Sequence, residues 1–191
     1  SSVEPVRDPY SGEVLATVCQ AEPEHIHQVT ESVKRVSTAY AKIPAHARAK
    51  ALLHIAAGLS DRREEFATTI CREAGKPITD ARREVDRAIQ TFRIAAEESK
   101  RIPGEILPMD LTPGGEAYSG SVKRFPIGTV LGITPFNFPL NLVAHKVAPC
   151  LAAGNPMVLK PAPQTPLTSL LLGEVFLTTD LPPETLTIIP C

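Results

Sequence analysis

The chain has 191 residues, 43% hydrophobic and 21% charged, which suits one ordinary domain or two small ones with enough apolar material for a core. Lys and Arg total 20 against 21 Asp and Glu, a net charge of −1, so charge makes no case for nucleic acid or an anionic membrane as partner. There is no run of about 18 apolar residues, and the N-terminal SSVEPVRDPYSGE lacks a signal peptide's apolar core; no membrane span is expected, and the expected location is the cytoplasm.

Residues 1–20 read as extended chain, with Ser11-Gly12 as a turn signal before the alternation Val14, Ala16, Val18. From Pro23 the period becomes helical, carried by Ile26, Val29, Val33, Val36 and Tyr40, and Pro44 breaks it. Residues 45–59 predict a second helix with Leu52, Ile55, Ala56 and Leu59 on one side. Asp61 is the expected N-cap of a third helix, 62–74, stopped by Gly75; Thr79 or Asp80 is the expected cap of a fourth, running to about Lys100. The Pro- and Gly-rich stretch 102–119 is expected to be a loop separating this helical half from the rest.

After the loop the pattern alternates. GSVKRFPIGTVLGIT reads as a strand, a break at Pro126 and a second strand over 127–133. A helix over 140–153, interrupted by Pro149, ends at Gly154-Asn155. A short apolar strand follows at 157–159, then a helix capped by Thr165 with Pro166 at its first position, then a strand over 186–189. Short apolar strands joined by helices predict an α/β unit, a parallel β-α-β-α-β sheet of Rossmann type covered on both faces. Ligands in such sheets bind beyond the carboxyl ends of the strands. The loops there are TPFNFP and KPAPQTP.

Neither GxGxxG nor GxxxxGK[ST] is present. Pro135 and Pro139 would instead hold Phe136, Asn137 and Phe138 stiffly. A rigid amide at a strand end can donate to a developing oxyanion; it can also simply brace a turn, and spacing alone favours the turn. Lys160, ending the second strand of the unit, could meet ribose hydroxyls or a phosphate, or could be an exposed lysine with no defined contact. Lys146 reads as structural, serving backbone carbonyls. Arg83 and Arg87 lie one helical turn apart and share a face; salt bridges of Arg87 with Glu84, or of Arg83 with Asp86 or Glu84, are the ordinary expectation. Cys19, Cys71, Cys150 and Cys191 form no CxxC pair and no zinc-spaced cluster, so reduced, mostly buried thiols and no metal site are expected.

GTVLGITPFNFPLNLVAHKVAPCLAAGNPMVLKPAPQTPLTSLLLGEVF resembles the aldehyde dehydrogenase superfamily, with its aromatic-Asn-aromatic-Pro loop, its K-x-A-P-A-L-A-A-G-N helix (Cys150 standing where relatives usually carry alanine) and its strand ending in Lys-Pro. PVRDPYSGEVLATV is similar to the family's N-terminal hairpin, REEFATTICREAGKPITDARREV to its helical segment and LPPETLTIIP to its next strand, so the resemblance covers nearly the whole chain. It implies two parts. Residues 1–125 would hold the N-terminal hairpin, helical segment and oligomerisation flap, the flap marked by alternation over 117–123. Residues 126–191 would be the first part of an NAD(P)-binding Rossmann-like unit, truncated after its third strand.

The implied reaction is oxidation of an aldehyde to an acid, or an acyl thioester in some branches, through attack by a cysteine thiolate. By resemblance, Asn137 is the oxyanion-hole amide, Ile133, Thr134, Pro135 and Phe136 line the cofactor, and Lys160 reaches the adenosine ribose. NAD-preferring relatives commonly carry Glu three residues after that lysine; here it is Pro163, which favours NADP, or dual use, over NAD, the alternative being NAD held by other contacts. Arg87 matches the place where relatives acting on small anionic aldehydes hold the substrate anion. The family's catalytic cysteine and glutamate lie beyond the third strand, so these 191 residues are expected to be an N-terminal fragment, inactive alone and a homodimer or homotetramer when intact. The competing expectations are a non-catalytic dinucleotide-binding module and a related acyl-group reductase.

Overall fold

A computed structural model describes residues 2–191. The chain opens with a hairpin of β1 (Val3–Arg7) antiparallel to β2 (Val14–Cys19). Asp8 ties its turn, Oδ1 accepting from the amides of Tyr10 at 2.8 Å and Ser11 at 3.1 Å. Four helices follow: α1 (Pro23–Tyr40), α2 (Ala45–Asp61), α3 (Arg63–Ala74) and α4 (Ile78–Glu98). Leu52, Ile55, Ala56 and Leu59 are buried as their spacing predicts. In α1 only Val33 and Tyr40 of the apolar series are buried, and Ile26 is exposed.

Two of the expected caps are not caps. Asp61 ends α2, and Arg62 is the single residue between α2 and α3. Pro77 is the N-cap of α4, its carbonyl accepting from the amides of Asp80 and Ala81, so Thr79 and Asp80 lie inside the first turn. Proline's preset φ favours this earlier start. The stretch expected to be a loop contains β3 (Glu105–Leu107), paired antiparallel with β4 (Gly120–Val122). Three exposed residues leave no periodicity to read.

The C-terminal part is β5 (Val130–Ile133), α5 (Asn141–Ala152), β6 (Met157–Lys160), α6 (Leu167–Leu177), a 3-10 turn (Pro183–Thr185) and β7 (Leu186–Ile188). The strands are parallel in the order β5-β6-β7, the α/β unit that the alternation predicts. Helix α5 meets β5 and β6 and α6 meets β7, on the one face where the right-handed rule for parallel crossovers would place both. Helices α2, α3 and α4 pack onto α5 and α6, and a single apolar core runs from Tyr40 through Phe92 and Leu151 to Leu186. The expected cover on both faces fails at β5, where Leu131 and Ile133 share an exposed face. No helix among the described residues is long and apolar enough to cross a membrane.

Thr165 does not cap α6. Its hydroxyl is buried without a partner among the described residues, and the Glu73 carboxylate of α3 takes the capping place. Glu73 accepts from the amides of Leu167 (2.8 Å) and Thr168 (3.0 Å) and from the Thr168 hydroxyl. Burial pushes its carboxyl up to about 7 despite these three donors, with the nearby Glu84 charge adding to the rise. A folded pKa raised above the unfolded value gives stability that is full below about pH 4.5 and lost as pH climbs toward 7. Wild type should therefore lose up to about 3 kcal/mol relative to Glu73→Gln between pH 4.5 and 7.5. Denaturant unfolding of both proteins across that range measures the difference, and parallel pH profiles would refute it.

Candidate active site

The loop that follows β5 begins with Thr134, buried, its amide bonded to the carbonyl of Lys160 at 3.2 Å. This bond continues the parallel register, in which Ile133 lies opposite Lys160. The loop therefore leaves the sheet where the crevice at the strand ends begins. Pro135, Phe136 and Asn137 are exposed, Pro139 and Leu140 are buried, and α5 starts at Asn141. Exposed residues are thus carried between two anchored ends.

The second anchor is a carboxylate. Glu84 of α4 is buried, and its Oε1 accepts from the amides of Leu140 (3.0 Å) and Asn141 (3.1 Å). Its Oε2 pairs with the Lys76 ammonium. Lys76 lies in the corner between α3 and α4. Gly75, at φ +64° in the left-handed region that glycine tolerates, ends α3, and extended Pro77 is the N-cap of α4. From there Lys76 Nζ also donates to the Asn137 carbonyl at 2.8 Å and sits 4.0 Å from the centre of the Phe138 ring.

A cleft of about 640 Å³ opens beside this loop, lined by Lys76, Asp80, Arg83, Arg87, Phe136 and Asn137 among others. Arg83 pairs with Asp80 at 3.2 Å rather than with Asp86 or Glu84, because Asp86 is held by Arg63 and Glu84 by Lys76. Arg87 has no ion pair among the described residues; its guanidinium lies 5.9 Å from the Phe138 ring centre. The Asn137 side chain makes no hydrogen bond among the described residues, so its amide does not brace the turn.

Ile133, Lys160 and Pro163 lie off the cleft, at and beyond the strand ends. The half-buried Lys160 ammonium has no partner among the described residues, and Pro163 is exposed. Lys146 is half-buried and makes no hydrogen bond among the described residues, so the expected contact with backbone carbonyls is absent. Of the cysteines only Cys150 is buried, against the expectation for most of them. Burial pushes its thiol up to about 12, and its Sγ donates to the Asn155 carbonyl at 3.3 Å, so it is a packing residue. No cysteine lines the cleft. No group of three or more His, Cys, Asp or Glu among the described residues is placed to hold a metal ion.

Sequence reasoning passed over Lys76, Glu73 and the capping role of Glu84. A usable signal existed for both acids: each falls on the apolar face of its helix, Glu84 beside Ala81, Val85 and Ala88, and Glu73 in line with Phe66 and Ile70.

Comparison with known proteins decides the lineage. The model for the aldehyde dehydrogenase family matches residues 1–191. The chain belongs to the aldehyde dehydrogenase family. It is 47% identical over 135 residues, 71% of its length, to the 3-sulfolactaldehyde dehydrogenase of Priestia megaterium, and these make up 28% of that protein. Among solved structures it is similar to aldehyde dehydrogenase 21 from Physcomitrella patens in complex with the reaction product succinate, with a TM-score of 0.97, 45% identity and 99% of this chain covered. It is also similar to glyceraldehyde-3-phosphate dehydrogenase GapN from Methanocaldococcus jannaschii complexed with NADP, with a TM-score of 0.87, 32% identity and 97% covered. This chain spans 40% of each of those two structures.

Proposed function

We propose that the chain is the N-terminal portion of an NAD(P)-dependent aldehyde dehydrogenase in which Asn137 stabilises the oxyanion. The observation that carries this reading is the Asn137 side chain, exposed at the lip of a cationic cleft, on an anchored loop, with no hydrogen-bond partner among the described residues. Its N–H can donate to the aldehyde oxygen as a thiolate adds to the carbon and negative charge gathers there. The family resemblance places the thiolate and the base glutamate in the part of the enzyme outside residues 1–191, in keeping with a cleft that no cysteine lines among the described residues. Residues 1–125 act as the hairpin, helical and flap part, and residues 126–191 as the start of the cofactor-binding part. The flap carries exposed Tyr118 and Val122, and exposed Ile106 lies in the strand paired with it, which suits assembly into a homodimer or homotetramer.

A bound dinucleotide would supply the hydride acceptor for the oxidation. The residues present fit such a group: exposed Ile133, Pro135 and Phe136 offer apolar contact, buried Thr134 would contribute through its backbone, and the Lys160 ammonium, with no partner among the described residues, is open to an anionic or hydroxyl partner. With Pro163 where NAD-preferring relatives commonly carry Glu, no carboxylate at that position repels a 2′-phosphate, and NADP is preferred. Arg87, without an ion pair among the described residues, holds the anion of a small acidic aldehyde by bidentate pairing. Relatives named for a sulfonated aldehyde and for a succinate product are in keeping with such a substrate.

Three substitutions in the full-length enzyme test the reading. Asn137→Ala should lower kcat about 10²–10³-fold; wild-type kcat would refute the oxyanion role. Arg87→Ala should raise KM roughly tenfold or more for succinic semialdehyde and leave butyraldehyde unchanged, as expected for loss of a charge-assisted contact. Lys160→Ala should weaken NADP more than NAD in a fluorescence titration, and equal losses would remove the case for a 2′-phosphate contact.

A further inference from the structure

We propose that Lys76 and Glu84 are positioning residues for Asn137, holding the oxyanion donor through its backbone without touching the substrate. This inference rests on the oxyanion reading above. A lysine ammonium has three N–H groups and no acceptor, and here three partners surround it: the Glu84 carboxylate, the Asn137 carbonyl at 2.8 Å and the face of Phe138. None is left for a substrate anion, although Lys76 lines the same cleft as Arg83 and Arg87. The orientation of a residue's carbonyl defines its ψ. Fixing the Asn137 carbonyl therefore fixes the backbone from which its side chain projects.

Glu84 holds the loop's other end. Its second oxygen takes the Leu140 and Asn141 amides, so charge-assisted hydrogen bonds reach the chain on both sides of Phe138. The pair is shielded from water, with the two side chains only 15% and 1% exposed, which sets it apart from the weak ion pairs of a surface. The same carboxylate anchors α5, so the pose of Asn137 is tied to the first turn of that helix.

The test is a double-mutant cycle in the full-length enzyme, read as kcat and KM on succinic semialdehyde and on butyraldehyde. Lys76→Met should lower kcat about ten- to a hundredfold on both aldehydes, the range expected when a catalytic group is displaced by about an ångström. In an Asn137→Ala background the same substitution should change kcat less than threefold, because Lys76 acts through Asn137. Lys76→Met/Glu84→Gln removes both charges and keeps an oxygen for the α5 amides; it should keep a cooperative melt and show the same kcat loss, and Lys76→Arg should restore part of the rate. A rise in KM for succinic semialdehyde alone, with kcat kept, would make Lys76 a substrate ligand and overturn the proposal. So would a Lys76→Met effect that adds in full to Asn137→Ala. Asn137→Ala with wild-type kcat would bring down the oxyanion reading itself, a different pattern from either.

Discussion

Helix α5 is gripped at both ends by side chains from the N-terminal helices, and the site depends on that grip. At its start the Glu84 carboxylate accepts from Leu140 and Asn141. At its finish Arg48 Nε donates to the Ala152 carbonyl at 3.0 Å and the Tyr40 hydroxyl donates to that of Leu151 at 2.9 Å. An anion thus sits where the helix dipole is positive and a cation where it is negative, each worth up to about 2 kcal/mol when partly buried. Gly154, at φ +85°, completes the finish: its amide reaches the Leu151 carbonyl and that of Asn155 reaches Cys150. With α5 fixed, the loop from Thr134 to Pro139 has one end set by the sheet and the other by the helix.

Burying charge to achieve this is costly, and the two capping carboxylates meet the cost differently. Glu84 has Lys76 beside it. Glu73, with only neutral donors, is held well above the usual carboxylate range by burial. Removing one partner of a buried pair typically costs about 3–5 kcal/mol, whereas a hydrophobic replacement of both can be neutral. Such pairs are therefore better explained by registry than by raw stability. In this chain the registry is specific: α3 caps α6 and α4 caps α5, so the helical layer can dock on the crossover helices in one alignment only.

Much of the fold is legible in the sequence because it rests on periodicity. The Leu52, Ile55, Ala56, Leu59 face and the apolar Met157–Lys160 strand declare themselves locally, and Gly75 and Gly154 mark real helix ends. The caps do not, because the groups that satisfy α5 and α6 come from residues 56 and 95 positions away in sequence. Thr165 looks like a cap, yet a distant carboxylate has taken the place. The site follows the same division. Asn137 is visible from its prolines and its family resemblance, whereas Lys76 shows nothing locally: its meaning lies in a carbonyl 61 residues on.

The same pairings determine how charge is distributed in the cleft. Its walls carry Lys76, Arg83 and Arg87 against Asp80 and Glu84. Lys76 is neutralised by Glu84 and Arg83 by Asp80, which leaves Arg87 as the cation without a counter-charge among the described residues. Under the proposed function, one uncompensated positive charge would match a singly charged aldehyde without trapping a multiply charged product. It would also act in the right sense on the proposed reaction, since a positive potential at the cleft favours an alkoxide. Lys76 would supply more positive charge were it free, but its ion pair holds that charge in place. In the proposed site it is therefore geometry, not added charge, that the Lys76–Glu84 pair contributes to Asn137.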